Sequence, residues 1–222
     1  MKTAIFIGDR DKTDLLFYTA KTLAQANLKV LIVDATTLST YEFSYPALEV
    51  SGEPHEYDTF DVWRMSEHSH SDLLTAYDVV LYDTDDLEQV NKIPDVDYRF
   101  LVVGCEQTSI RRNVRLLDQF FATRPMSELY AFRKIWIEGS QEPGEDYISE
   151  QFEVFPIDWK ETFVYYPDER DVAVKINNQY ANTLKLKKLS TDLKKTVQGI
   201  VATLLEQDLR ETKKLWKKAE RS

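Results

Sequence analysis

The sequence predicts a single α/β domain built on a mainly parallel, twisted sheet with helices on both faces. Short, almost uninterrupted apolar runs recur along the chain, as strands buried on both sides require. Segments with apolar residues at three- and four-residue spacing separate several of these runs, which is the alternation of a helix-covered parallel sheet. Two of the runs end on an acid, Asp34 and Asp83, and parallel strands would deliver both to one edge of the sheet.

With 222 residues, 7 Pro and 6 Gly, the chain is long enough for one sizeable core and shows no linker to divide it. Its 43% hydrophobic and 30% charged content suits a folded soluble domain. No apolar run approaches the roughly 20 residues needed to cross a bilayer. The opening residues lack the basic and then apolar stretch of a secretory signal, and the single cysteine, Cys105, excludes an intrachain disulfide. Both point to a cytoplasmic, reducing compartment, with Cys105 as a buried structural thiol. Net charge is -10, unevenly spread. Residues 183–222 hold 11 Lys or Arg against 5 Asp or Glu, so this tail carries +6 and the rest carries -16. The body should repel nucleic acid, while the tail would attract an anionic surface.

Along the chain, residues 3–7 read as a buried strand, 8–12 as a loop and 13–26 as a helix. A second strand at 29–34 completes a βαβ unit. Residues 37–70, rich in Ser, Thr, Glu, His and Pro, read as irregular connections with short elements at best. A short helix at 71–77 precedes a third strand at 78–83. A fourth strand follows at 100–104, then a helix at 109–122 and a fifth strand at 129–137. Residues 152–157 and 162–166 are shorter strand candidates. A long helix from Leu193 to about Lys218 closes the fold, with Val197, Ile200, Val201, Leu204, Leu205 and Leu209 on its apolar face. The division expected is a main domain at 1–209 and a basic helix end at 210–222.

A phosphate-cradling loop follows a buried strand and opens a helix. Its glycines let backbone N–H groups converge on the anion, and its Lys and Thr reach phosphate oxygens and magnesium. The segment Gly8-Asp9-Arg10-Asp11-Lys12-Thr13 has that placement, as GxxxKT in place of GxxxxGK[ST]. Three further stretches extend the pattern: Asp34-Ala-Thr36, then Tyr77-Asp78-Val-Val-Leu-Tyr-Asp83-Thr84, and Leu101 to Leu117 with its Thr-Ser-Ile-Arg-Arg start. With Phe163-Val-Tyr-Tyr-Pro167-Asp as a late strand and proline turn, the order of features resembles the ParA/MinD group of P-loop ATPases over roughly residues 1–205.

The resemblance implies a nucleotide site at Gly8, Lys12 and Thr13, with magnesium held near Thr13, Asp34 and Asp83. The departures imply loss of that chemistry. The family's signature lysine falls on Ile7, its second and third glycines on Asp9 and Asp11, its final loop threonine on Asp14, and its water-positioning acid on Thr36. Three carboxylates would surround a triphosphate, each pair of like charges costing about 1–4 kcal/mol. Hydrolysis in this class depends on positioning and charge stabilisation, and both would be missing. The expectation is therefore a pseudo-ATPase with no cofactor, homodimeric through the face that carries the loop. It would act as a scaffold or positioning adaptor for a membrane-associated machine (pilus, secretion, flagellar or partition type), as in the TadZ/CpaE adaptor group. Two alternatives stay open: a slow or unconventional ATPase using Lys12, Thr13, Asp34 and Asp83, and a membrane-surface protein anchored by its C-terminal helix. ATP and magnesium enter only if the loop still binds them.

Plainer readings stand beside these. Thr13 or Asp11 would serve as a helix N-cap with Asp14 in the first turn, and Asp34 and Asp83 would form an ion-pair cluster with Lys12. Glu67, His68 and His70 carry metal-capable side chains but read as a solvated loop. Trp159, Tyr165 and Tyr166 read as core or partner packing among local acids. In the tail, Lys213, Lys214, Leu215, Trp216, Lys217 and Lys218 form either a solvated or partner-binding helix end or a contact with an anionic membrane.

Overall fold

The structure, a computed structural model, describes residues 1–44, 53–65, 71–137, 142 and 144–222. Strand β1 (Lys2–Ile7) leads through the loop to helix α1 (Thr13–Ala24) and strand β2 (Val30–Asp34). The chain continues through α2 (Thr40–Ser44), β3 (His55–Tyr57), β4 (Phe60–Arg64) and α3 (Ser71–Leu74). Next come β5 (Val79–Thr84), β6 (Tyr98–Gly104), α4 (Gln107–Phe121), β7 (Tyr130–Ile137) and α5 (Glu145–Glu150). The last elements are β8 (Ile157–Tyr165), α6 (Glu169–Gln179), α7 (Thr191–Leu205) and α8 (Leu209–Ala219).

Eight strands make one sheet in the order β3-β4-β2-β5-β1-β6-β7-β8, parallel throughout except for the β3–β4 hairpin. The expected fold class is the one observed. Alternation along β1 shows how the layers are made. Ala4 and Phe6 enter a core shared with Leu16, Leu23, Val197 and Trp216 of α1, α7 and α8. Ile5 and Ile7 enter the opposite core with Ile110, Leu117 and Phe121 of α4. Both faces are thus filled, so the central strands can be continuously apolar. The register sets Ile7 beside Thr84 and Leu101, and Asp34 beside Asp83. The loop after β1 and both acids therefore share the carboxyl edge of the sheet.

The described part of residues 37–70 holds three short elements, α2, β3 and β4, in keeping with irregular connections that carry short elements at best, and β4 runs parallel to β2. Strand β4 carries Asp61 among buried Phe60, Val62 and Trp63, and the Tyr77 hydroxyl satisfies that carboxylate at 2.6 Å. Glu67, His68 and His70 lie outside the described residues. The strand candidates at 152–157 and 162–166 resolve into one nine-residue strand, β8, preceded by turns that bury Phe152 and Phe155. As an edge strand it tolerates Asp158, Lys160 and Glu161 in its middle, where a central strand would not.

The long closing helix is two helices. Glu206 adopts a left-handed conformation (φ 53°, ψ 42°) that ends α7, and the Asp208 carboxylate caps α8 by accepting from the backbone N–H groups of Arg210 (2.8 Å) and Glu211 (2.9 Å). The turn leaves Leu209 exposed, off the apolar face expected for it. Among the described residues no helix is long and apolar enough to cross a membrane.

Candidate functional site

Lys12 folds back into its own loop. Its Nζ lies 2.9 Å from Asp83 Oδ1 and donates to the carbonyls of Gly8 (2.7 Å) and Arg10 (2.9 Å), with the residue 2% exposed. Two carbonyls accept hydrogen bonds from the buried ammonium and the Asp83 carboxylate pairs with its charge, so Lys12 is turned into its own loop and not out towards a phosphate. Burial lifts the Asp83 carboxyl to about 6, against the pull of the Lys12 charge and of the Tyr41 hydroxyl, which donates to it at 2.8 Å. The expected cluster of Lys12 with both acids is therefore half realised. Asp34 pairs instead with Thr36, accepting from its hydroxyl (2.6 Å) and backbone N–H (2.9 Å) on one oxygen. Burial holds the Asp34 carboxyl above its ordinary range although Thr36 draws it down. The residue in the place of the family's water-positioning acid thus serves to hold its neighbour.

The loop backbone is not a phosphate cradle. A concave anion nest alternates right- and left-handed residues so that successive N–H groups converge. The positive-φ residues of the described chain are Asn27, Ser39, Asp58, Lys188 and Glu206, none of them between 8 and 13. Three of the loop's N–H groups are already taken: Gly8 by Thr84 O (3.1 Å), Asp9 by Asn113 Oδ1 (3.3 Å) and Thr13 by Asp11 Oδ1 (3.0 Å). Asp11 thus provides the helix-start contact, with Lys12 at the N-cap position and Asp14 in the first turn. Thr13 is 2% exposed. Gly8 answers to sheet packing, because a Cβ there would lie 2.1 Å from the Val102 carbonyl oxygen.

The three loop acids do not face one another unpartnered. Asp9 Oδ1 accepts from the Ser109 hydroxyl (2.5 Å) and the Asn113 amide (3.2 Å) on α4. Lys175 of α6 reaches Asp11 at 2.6 Å and Asp14 at 2.8 Å. Burial disfavours the Lys175 charge, yet Asp14 and Asp11 outweigh it and hold the ammonium above its usual range. Asp11 shows the reverse: burial would raise it, and Lys175 with the Thr13 N–H brings it below the usual carboxylate value. Arg10 pairs with Glu106. The loop acids are thus one end of a set of side-chain bridges from the loop to α4 and α6.

Lys175, Ser109, Asn113 and Tyr41 had no part in the sequence expectation. Ser109 and Asn113, one turn apart on the otherwise apolar inner face of α4, were a legible signal of a buried polar contact. Lys175 had none, since its helix was itself not anticipated. In the tail, Trp216 is 2% exposed and joins the core with Ala219, and Leu215 packs against the same cluster. Lys213, Lys214, Lys217 and Lys218 stay exposed. The apolar half of the expected membrane contact is thus turned inward. Cys105 is half-buried and accepts a contact from the Trp136 indole N–H.

A cleft of about 690 Å³ lies beside the loop, with Asp9, Asp85, Asp86, Glu88, Arg112 and Arg115 among its lining residues. The space beside Asp11, Asp14 and Lys175 is about 140 Å³. Among the described residues no group of three or more His, Cys, Asp or Glu side chains is arranged to hold a metal ion. With Lys12 turned into its own loop, no positive-φ residue between 8 and 13, and acids at 9, 11 and 14, the residues present do not fit a magnesium–triphosphate.

The sheet order and the strand–loop–helix at its carboxyl edge place the chain in the class of P-loop-type α/β folds. Its fold is that of the ParA/MinD proteins. A ParA family ATPase from Chlorobium tepidum superposes with a TM-score of 0.53 at 17% identity, over 88% of this chain and 96% of that one. MinD of Aquifex aeolicus in its MinC:MinD cell division complex gives 0.66 at 14% identity, over 94% and 97%. Aquifex aeolicus MinD in a second structure gives 0.57 at 12%, over 94% and 98%. No protein-family model and no curated protein matches the sequence.

Proposed function

We propose that this chain is a pseudo-ATPase of ParA/MinD fold, a homodimeric scaffold or positioning adaptor for protein components of a membrane-associated machine. The observation that supports it most is the commitment of Lys12 to Asp83 and two loop carbonyls. Releasing that lysine to a phosphate would leave Asp83 buried beside Tyr41 without its cation, and no glycine is available at 9 or 11 to re-form a nest. The Asp11–Lys175–Asp14 and Asp9–Asn113 bridges fix the loop in one arrangement, which suits a constant binding surface better than a switch. A neighbour in fold was solved as a complex of two cell division proteins, in keeping with a role in protein contacts.

Calorimetric titration with ATP and magnesium tests this directly. No saturable heat is expected at ligand concentrations up to about 1 mM, a limit that corresponds to roughly -4 kcal/mol. Micromolar binding that disappears in Lys12→Ala would sink the proposal and favour a slow ATPase.

Any membrane contact would rest on the exposed lysines of α8, since Trp216 is in the core. Pelleting with anionic vesicles should then fall steeply as salt rises, by the screening of about one Debye length. Reversing Lys213, Lys214 and Lys217 to Glu should abolish it, and unchanged pelleting would exclude the tail.

A further inference from the structure

The cleft beside the loop is lined by charges of both signs that do not meet. Sheet order builds it: Leu38 follows β2, Asp85, Asp86 and Glu88 follow β5, Asp9 follows β1, and Arg112 and Arg115 stand on α4 after β6. Strands β5 and β6 flank β1, so the later acids and the arginines come from strands on opposite sides of it. Among the described residues no ion pair joins a lining acid to a lining arginine. The other lining acids are positioned by neutral donors, which leave their charge in place. Asp85 accepts from Thr37 N (2.7 Å), and Asp86 from Glu88 N (2.7 Å) and Gln89 N (3.2 Å), as Asp9 does from Ser109 and Asn113. Apolar side chains complete the lining, and two of them stay in water: Leu38 is 74% exposed and Leu87 43%.

We infer that this cleft receives an extended segment of a partner protein, which sets a carboxylate on Arg112 and Arg115, basic side chains on Asp85, Asp86 and Glu88, and apolar side chains against Leu38 and Leu87. Charge and shape select that occupant. Two guanidiniums three residues apart on one helix present neighbouring forks to a carboxylate. Four acids against two arginines nevertheless leave the lining net negative, which repels nucleic acid and phosphate-rich ligands and favours a segment with more basic than acidic groups. The volume of about 690 Å³ is that of a ligand site, within the roughly 300–1,000 Å³ such sites span. Leucines reaching water at the cleft suit a ligand that runs on past the cavity, as a chain segment does and an enclosed small molecule does not. That the partner is a protein rests on the adaptor reading; the charge pattern it must carry rests on the cleft.

Selection of a displayed library of random peptides on the full chain tests it. The recovered peptides should share an acid flanked by basic and apolar residues. The strongest of them, labelled and free in solution, should bind about tenfold or more weakly to Arg112→Glu with Arg115→Glu, as loss of charge-assisted contacts does. Glu88→Lys should weaken it about threefold, the scale of an exposed ion pair. Selection repeated on the double arginine variant should return a basic residue where the acid stood. Glu88, Arg112 and Arg115 are exposed, so thermal unfolding of these variants should stay close to that of the parent, which separates lost docking from lost folding. Failure to enrich any peptide over the double variant overturns the inference, as does recovery of the same peptides by both proteins. Self-association of the chain that Arg112→Glu with Arg115→Glu abolishes would put a second copy in the cleft and overturn it too. Calorimetry with ATP reads Lys12 and its loop, so failed peptide capture would leave the pseudo-ATPase reading standing, and nucleotide binding would leave the cleft assignment standing.

Discussion

Gly8→Ala should destabilise the chain by about 3 kcal/mol, at the upper end of what overpacking costs, and should do so without any ligand present. The added methyl would lie 2.1 Å from Val102 O and 3.0 Å from Val102 C. Neither is the movable end of a side chain. Val102 is fully buried and pairs with Ile135 of β7, so β6 can recede only by disturbing its outer neighbour. The Gly8 residue cannot retreat cheaply either, because its N–H is bonded to Thr84 O and the preceding Ile7 is in register with both β5 and β6. The loss should appear as a lower urea midpoint at unchanged slope. Were Gly8 there to admit a phosphate, the same substitution would leave the midpoint nearly intact and act on ligand affinity instead. A midpoint equal to that of the parent would therefore contradict the packing role.

How much of this was legible in the sequence follows from where the apolar side chains lie. Strands β1, β2, β5 and β6 are buried on both faces, so their runs are unbroken and could be read directly. Strands β4 and β8 carry charges in mid-strand, stabilised by Tyr77 on Asp61 or by exposure at the sheet edge, and they were read as irregular or split. Helix α6 has no legible apolar face because two of its three buried residues, Asp171 and Asn178, are polar, and amphipathic spacing finds helices only when the buried side is apolar. The break before α8 does have a signal: Asp208 followed three residues later by Glu211 is the start pattern of a new helix, and apolar spacing that continues to Leu209 masks it. At the site, the acids in place of glycines were plain from the residues. Their partners were not: Asn113 lies 104 residues from Asp9, and Lys175 lies 164 from Asp11. Hence the sequence suggested three mutually repelling carboxylates where the folded chain has bridges.

Lys12→Met should cost about 3 kcal/mol near neutral pH, and the cost should shrink on acidification. Methionine fills much of the volume of the lysine stem, so the main loss is the cation beside Asp83, together with two hydrogen bonds to loop carbonyls. The charge part has a ceiling, because a stranded buried carboxylate can take up a proton. Asp83 already has its carboxyl raised from 3.8 to about 6, so the folded state binds that proton more tightly than the unfolded state does. By linkage the parent therefore loses stability, up to about 3 kcal/mol from this group, as pH rises from about 4 to about 6, and no more above that. Without Lys12 the folded-state value climbs further, so the decline continues past pH 6. Each pH unit by which that value climbs adds about 1.4 kcal/mol to the cost. At about pH 5 both proteins hold Asp83 protonated, and only the lost carbonyl contacts and packing separate them. Urea melts of the two proteins between about pH 4.5 and 8 should accordingly converge at the acid end and diverge towards the alkaline end. Asp83→Asn in the Lys12→Met background should remove most of that divergence by eliminating the titrating group. If instead the two proteins differed by the same amount at every pH, Asp83 would not be the group that Lys12 stabilises, and the commitment of this lysine to the interior of its own loop would have to be given up.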